Sequence, residues 1–159
     1  MSDNPNEAPD TAGVVARPPL IYGGALAAGL LAKTLFPTAF LPRRVARLLG
    51  PPLLGAGFLL FLSSLRAMRQ AGTSVRSVKP TSSLVIGGPY RYTRNPIYLG
   101  FTLFYSGITA LANSLPSALL LPFVLVVMQR GVIEREERYL ERIFGEEYLR
   151  YKARVRRWI

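Results

Sequence analysis

Gly87-Gly88-Pro89-Tyr90-Arg91-Tyr92-Thr93-Arg94-Asn95-Pro96-Ile97-Tyr98-Leu99-Gly100 is the stretch on which the reading of this chain turns. Three tyrosines and two arginines stand between glycine–proline punctuation, and an apolar run begins where the segment ends. A loop that only had to be soluble needs neither the rings nor the guanidiniums. A pocket for a small charged molecule at an apolar boundary uses both.

Residues 97–112 carry no formal charge, and 115–132 carry none before Arg130. Only Asn113-Ser114 separate these runs, with Pro116 opening the second, so they predict an antiparallel helical hairpin. After Arg130 the pattern changes to Glu134-Arg135-Glu136-Glu137-Arg138. Leu140, Phe144, Tyr148, Tyr151, Val155 and Trp158 then recur at spacings of three and four, one face of an amphipathic helix over 133–159 with Gly145 as a kink. Its other face is densely charged, so it is expected to lie on a membrane surface or cap a bundle. The opening stretch and the Glu-rich run flank the same end of one hairpin and must be neighbours in space.

Upstream, the connection 66–96 holds six basic residues and no acidic one. Pro80 and Thr81-Ser82-Ser83 argue against a continuous helix, and Leu84-Val85-Ile86 is too short to span a bilayer. Two more apolar runs, 20–41 and 48–65, precede it. Gly23, Gly24, Gly29, Gly55 and Gly57 suggest close helix packing there. Lys33 reads as an interfacial anchor. Arg43, Arg44 and Arg47 read as a basic link, with Pro51-Pro52 in the first turn of the second helix. Residues 1–17 read as a mobile polar tail; Asp3, Glu7 and Asp10 do not make a secretory leader.

The 159 residues allow one domain, here 18–159. Half are hydrophobic and 18% are charged, against about a quarter in soluble domains. The fold expected is all-α: an integral-membrane helical bundle of about four transmembrane helices (20–41, 48–65, 97–112, 115–132) with a cytoplasmic amphipathic C-terminal helix. The net charge of +11 fits either nucleic-acid binding or positive-inside bias, and the blocked hydrophobicity selects the second. Sixteen Lys and Arg fall with the two termini and the 66–96 loop, against three in the 42–47 link, which places both termini in the cytoplasm. With neither cysteine nor histidine, the chain offers no thiolate nucleophile, no Cys or His metal site, and none of the commonest general base.

Glu136 and Glu137 beside Tyr90, Arg91, Tyr92, Arg94 and Tyr98 suit a ligand with an ammonium group, a carboxylate and a second cationic centre. The same residues also read as headgroup-layer tyrosines and as a solvated charge run with i,i+4 pairs.

Residues 88–100, an apolar hairpin, and then Glu136-Glu137, Leu140, Phe144-Gly145, Tyr148, Tyr151 and Val155 resemble the isoprenylcysteine carboxyl methyltransferase family and the related phospholipid methyltransferases of membranes. The resemblance covers about 70–159. It implies an integral-membrane enzyme using S-adenosylmethionine, which carries all three ligand features. It implies a cytoplasmic cofactor pocket lined by Ser82, Ser83, Leu84, Val85, Tyr90, Asn95, Pro96, Ile97 and Tyr98, with Glu136 the acidic contact and Gly100 allowing close approach of a helix or the adenosine. A lipophilic substrate would enter from the bilayer. Arg94 and Glu136 are the candidates for a catalytic role; Arg91, Arg94 and Arg130 are candidates for steering an anionic substrate, with Arg94 alternatively holding the loop. Two positions depart from the family pattern. Asn95 replaces a histidine and can hydrogen-bond but cannot take up a proton or a charge, and Val132 replaces an arginine that holds a substrate carboxylate, with Arg130 about 200° away round the helix.

A carboxylate acceptor is already ionised and needs no base, so the reading favours carboxyl O-methylation. The alternatives are a phospholipid or other amine N-methyltransferase, and a catalytically silent membrane assembly protein.

Overall fold

The computed structural model describes residues 12–72 and 83–159, and among these it is all helical. The elements are α1 (Pro18–Leu35), α2 (Arg43–Gln70), a 3-10 turn at Gly88–Arg91, α3 (Pro96–Ala112), α4 (Leu115–Met128), a π-turn at Gln129–Ile133, α5 (Glu134–Phe144) and α6 (Glu146–Arg154).

Proline opens α1, α3 and α4, where a missing N–H costs nothing. Ser114 caps α4 by accepting from the Ser117 N–H. Several boundaries differ from the sequence reading. The C-terminal segment is not one helix to 159: Gly145 (φ 49°) divides it into α5 and α6, and the backbone turns extended at Val155. Helix α2 runs on to Gln70. The first helix stops at Leu35. Arg43, Arg44 and Arg47 are no link: they form the first two turns of α2, which places Pro51 and Pro52 inside the helix. Arginine is a good helix former, and its charge alone does not end a helix.

Helix α2 packs chiefly against α3, and α1 against α4. The α2–α3 contact is set by two glycine pairs seven residues apart on each helix. A Cβ on Gly57 would stand 2.7 Å from the Gly100 carbonyl oxygen, and one on Gly107 would stand 3.0 Å from that of Gly50. Gly29 packs just as tightly against Ser117, whereas Gly23, Gly24 and Gly55 face open space.

The far end of the bundle is tied by Asn113, the left-handed residue (φ 48°) that ends α3. Its Oδ1 accepts from Phe40 N–H (3.1 Å) and Leu41 N–H (3.0 Å), and its Nδ2 donates to the Leu41 carbonyl (2.7 Å). The Lys33 ammonium donates to the Ala112 carbonyl beside it.

Tyr22, Tyr105, Val124, Met128 and Val132 form the buried core. Outward, all four helices present large apolar side chains, among them Leu31, Phe58, Leu59, Phe104 and Phe123. Two helices are long and apolar enough to cross a bilayer: Arg43–Gln70, and the continuous Leu115–Phe144. Only 17% and 28% of their most apolar stretches are buried.

Candidate cofactor site

The opening stretch folds as a turn because its residues demand one. Gly88 has φ 58°, a conformation glycine adopts without penalty, and Pro89 starts the 3-10 turn. Thr93 is buried, and its hydroxyl donates to the Arg157 carbonyl (3.1 Å). The Asn95 amide donates to the same carbonyl (2.9 Å), and the Arg94 N–H to that of Arg156 (3.0 Å). The Tyr151 hydroxyl donates to the Tyr90 carbonyl (2.8 Å). The loop is thus held by the C-terminal segment along its length.

From the other side, the π-turn joins α4 to α5 without a break. A widened turn of this kind changes the helix register and frequently occurs at functional sites. Here it delivers two adjacent carboxylates to different partners. Tyr98 donates its hydroxyl to Glu136, 2.8 Å from Oε1 and 2.9 Å from Oε2. Glu137 is buried between two guanidiniums, with Arg94 at 3.2 Å and the Nε and Nη2 of Arg157 at 2.9 and 2.8 Å.

Between loop and helix lies a cavity of about 320 Å³, within the ordinary range for small-molecule sites. Ser83, Leu84, Val85, Tyr90 and residues 95–98 line one wall; Glu136, Glu137, Leu140, Tyr148 and Tyr151 line the other. Phe61, Met68 and Phe101 close it toward the apolar helices. Burial pushes the Tyr148 phenol up to about 12, with nearby Glu137 adding to the rise. Burial likewise raises Tyr90 and Tyr151. All three are therefore neutral donors near neutral pH, not bases.

Most of the expected pocket residues meet at this cavity. Ser82 lies outside the described residues. Gly100 is not in the wall; of its two expected uses, close approach of a helix is the one found, against Gly57. Arg91 and Arg130 are exposed and do not line the cavity. Arg94 does line it: its Nη2 meets Glu137, while its buried Nε and Nη1 have no hydrogen-bond partner among the described residues. Of the expected tail 1–17, residues 1–11 lie outside the described residues, and part of 12–17 packs near the cavity. Val15 N–H donates to the Gly131 carbonyl (3.2 Å), Arg135 donates to that of Gly13 (2.8 Å), and Ala12 lines the cavity.

Glu137, paired with Glu136 in the sequence reading, is in the wall but turned to two guanidiniums, and Arg157, Tyr148 and Tyr151 are additions to that reading. The two tyrosines were visible as an apolar face. Arg157 lies in a run of basic residues whose spacing gives no sign of a partner.

An all-helical bundle whose cavity joins a Gly-Pro-Tyr loop to a carboxylate pair is a class of architecture quite unlike a doubly wound sheet with a Gly-rich dinucleotide turn. The chain belongs to the phospholipid methyltransferase family, whose model matches residues 45–147. It is similar to the protein-S-isoprenylcysteine O-methyltransferase of Schizosaccharomyces pombe, 36% identical over 106 residues, which cover 62% of this chain and 45% of the relative. The Saccharomyces cerevisiae protein of the same name is 35% identical over 94 residues, 56% of this chain and 39% of the relative. An uncharacterized protein of Haemophilus influenzae is 48% identical over 63 residues, 40% of this chain and 89% of that protein. The chain spans less than half the length of the two yeast relatives. No solved structure matches it.

Proposed function

We propose that the protein is an integral-membrane methyltransferase that uses S-adenosylmethionine to methylate the carboxylate of a lipophilic, isoprenylcysteine-like substrate. The observation that carries the reading is the Tyr98–Glu136 pair, a fixed carboxylate opening on an otherwise largely apolar and aromatic cavity. The donor set fits the cofactor: Glu136 for its ammonium, the Tyr90 ring for its cationic centre, and the Asn95 amide and segment 83–85 for its polar edges. When bound, the cofactor supplies an electrophilic methyl group on a sulfonium.

The chain's own part is to bind, orient and exclude water. Phe61, Met68 and Phe101 give an acceptor's hydrocarbon an apolar wall. An ionised carboxylate needs no proton removed, and the protonated tyrosines around the cavity would remove none. The two yeast relatives, named protein-S-isoprenylcysteine O-methyltransferases, support the O-methyl reading. The family's description favours one alternative, N-methylation of a phospholipid amine.

Calorimetry in detergent tests the cofactor. Binding of S-adenosylmethionine or S-adenosylhomocysteine is expected, and no heat at millimolar ligand would end the reading. Labelled cofactor with lipid extracts separates the acceptors: base-labile volatile label marks an ester, and base-stable label a headgroup amine.

A further inference from the structure

Beyond α6 the backbone is extended at Val155 and runs back beside the loop, tied at three points to Thr93, Arg94 and Asn95. Trp158 fixes its end by donating to the Gln129 side chain in the π-turn (3.1 Å). The Arg157 carbonyl faces the loop. Its guanidinium meets Glu137 in a two-pronged contact and lies 3.8 Å from Glu134. Glu137 holds this guanidinium firmly enough to raise its basicity. Glu137 lines the cavity and Arg157 does not. Among the described residues around this turn, the guanidiniums of Arg94 and Arg157 are set against the carboxylates of Glu134 and Glu137.

We propose that Arg157 is a positioning residue that sets the charge a ligand meets: acting through Glu137 from behind the cavity wall, it makes the site one negative charge weaker. This would limit the advantage the site gives a cation over its uncharged counterpart. Such a limit matters where product must leave for the next substrate to enter. The proposal rests on the cofactor reading above. S-adenosylmethionine and S-adenosylhomocysteine differ by one methyl group and one positive charge, so the ratio of their affinities reads the site's charge directly.

The experiment is calorimetry on the full chain in detergent at about pH 8, where carboxylates are ionised, with thermal unfolding recorded alongside. Arg157→Gln is expected to shift the affinity ratio toward S-adenosylmethionine by about threefold or more. Arg157→Lys should restore most of the wild-type ratio. Glu134→Gln, at a half-exposed position outside the cavity wall, should shift it the opposite way. A merely structural Arg157 would lower thermal stability and weaken both ligands alike. Equal weakening, or an unmoved ratio, in Arg157→Gln overturns the proposal. If that variant does not fold, an unmoved ratio in Glu134→Gln overturns it. Wild-type protein that binds neither ligand overturns the cofactor reading and this inference together. Wild-type protein that binds both, with ratios that ignore the substitutions, overturns only the role of Arg157.

Discussion

At the scale of single residues, the two adjacent glutamates divide the work. Glu136 faces the ligand space and accepts from the neutral Tyr98 hydroxyl, while Glu137 is buried against two guanidiniums. Their substitutions should therefore fail differently. Glu136→Gln keeps the shape but removes the charge, so S-adenosylhomocysteine affinity should fall at least about tenfold with thermal stability little changed. Tyr98→Phe should show a milder form of the same defect; affinities unchanged in both variants would remove Glu136 from the site. Glu137→Ala leaves buried Arg94 without its counter-charge, a loss of about 3–5 kcal/mol seen as a lower unfolding midpoint even without ligand. The sequence made Glu136 legible because acidic residues at the end of an apolar hairpin need a reason. Glu137 looked equivalent, because only the fold brings Arg157 back twenty residues to reach it.

At the scale of elements, the α2–α3 contact positions the loop, since α3 begins at Pro96 directly after it. Gly57 and Gly55 look alike in sequence, but only Gly57 has a backbone carbonyl where its Cβ would go. Gly57→Ala should thus destabilise the protein by about 1–3 kcal/mol, as overpacking does. Gly55→Ala, facing open space, should be neutral or slightly stabilising by helix propensity. Thermal midpoints in detergent would compare the two, and equal midpoints would contradict the packing. Apolar runs and prolines made helix starts at Pro18, Pro96 and Leu115 readable. The start of α2 was not, because three arginines mimic a link. The π-turn was not either, because one wide turn leaves the apolar pattern of 115–133 intact. The comparison of Arg130 with Val132 on an ideal wheel assumed a uniform helix, whereas both residues sit inside that turn.

At the scale of the whole molecule, the membrane reading rests on long helices that keep their apolar faces outside. A core helix of a soluble protein would be mostly buried, and α2 is not. Lengths alone do not decide the number of spans. At 1.5 Å per residue, 17-residue α3 reaches about 26 Å and 18-residue α1 about 27 Å, just under a hydrocarbon core of about 30 Å. The Asn113 tie offers a sharper test. It binds the α1–α2 link to the α3–α4 turn, so both hairpin turns lie at one end of the bundle, opposite the cavity. One label therefore reports both hairpins. The chain has no cysteine, so single cysteines can be added without first removing any. Ala39, exposed in the link, and Ala153, exposed on α6, mark the two ends. With four spans and cytoplasmic termini, Ala39→Cys in sealed right-side-out vesicles should react with a membrane-impermeant maleimide. Ala153→Cys should react only after detergent is added. Reaction of both from the same face would mean that the hairpins enter the membrane without crossing it. The three arginines opening α2 would then sit on the cytoplasmic side, where positive-inside bias places them at no cost.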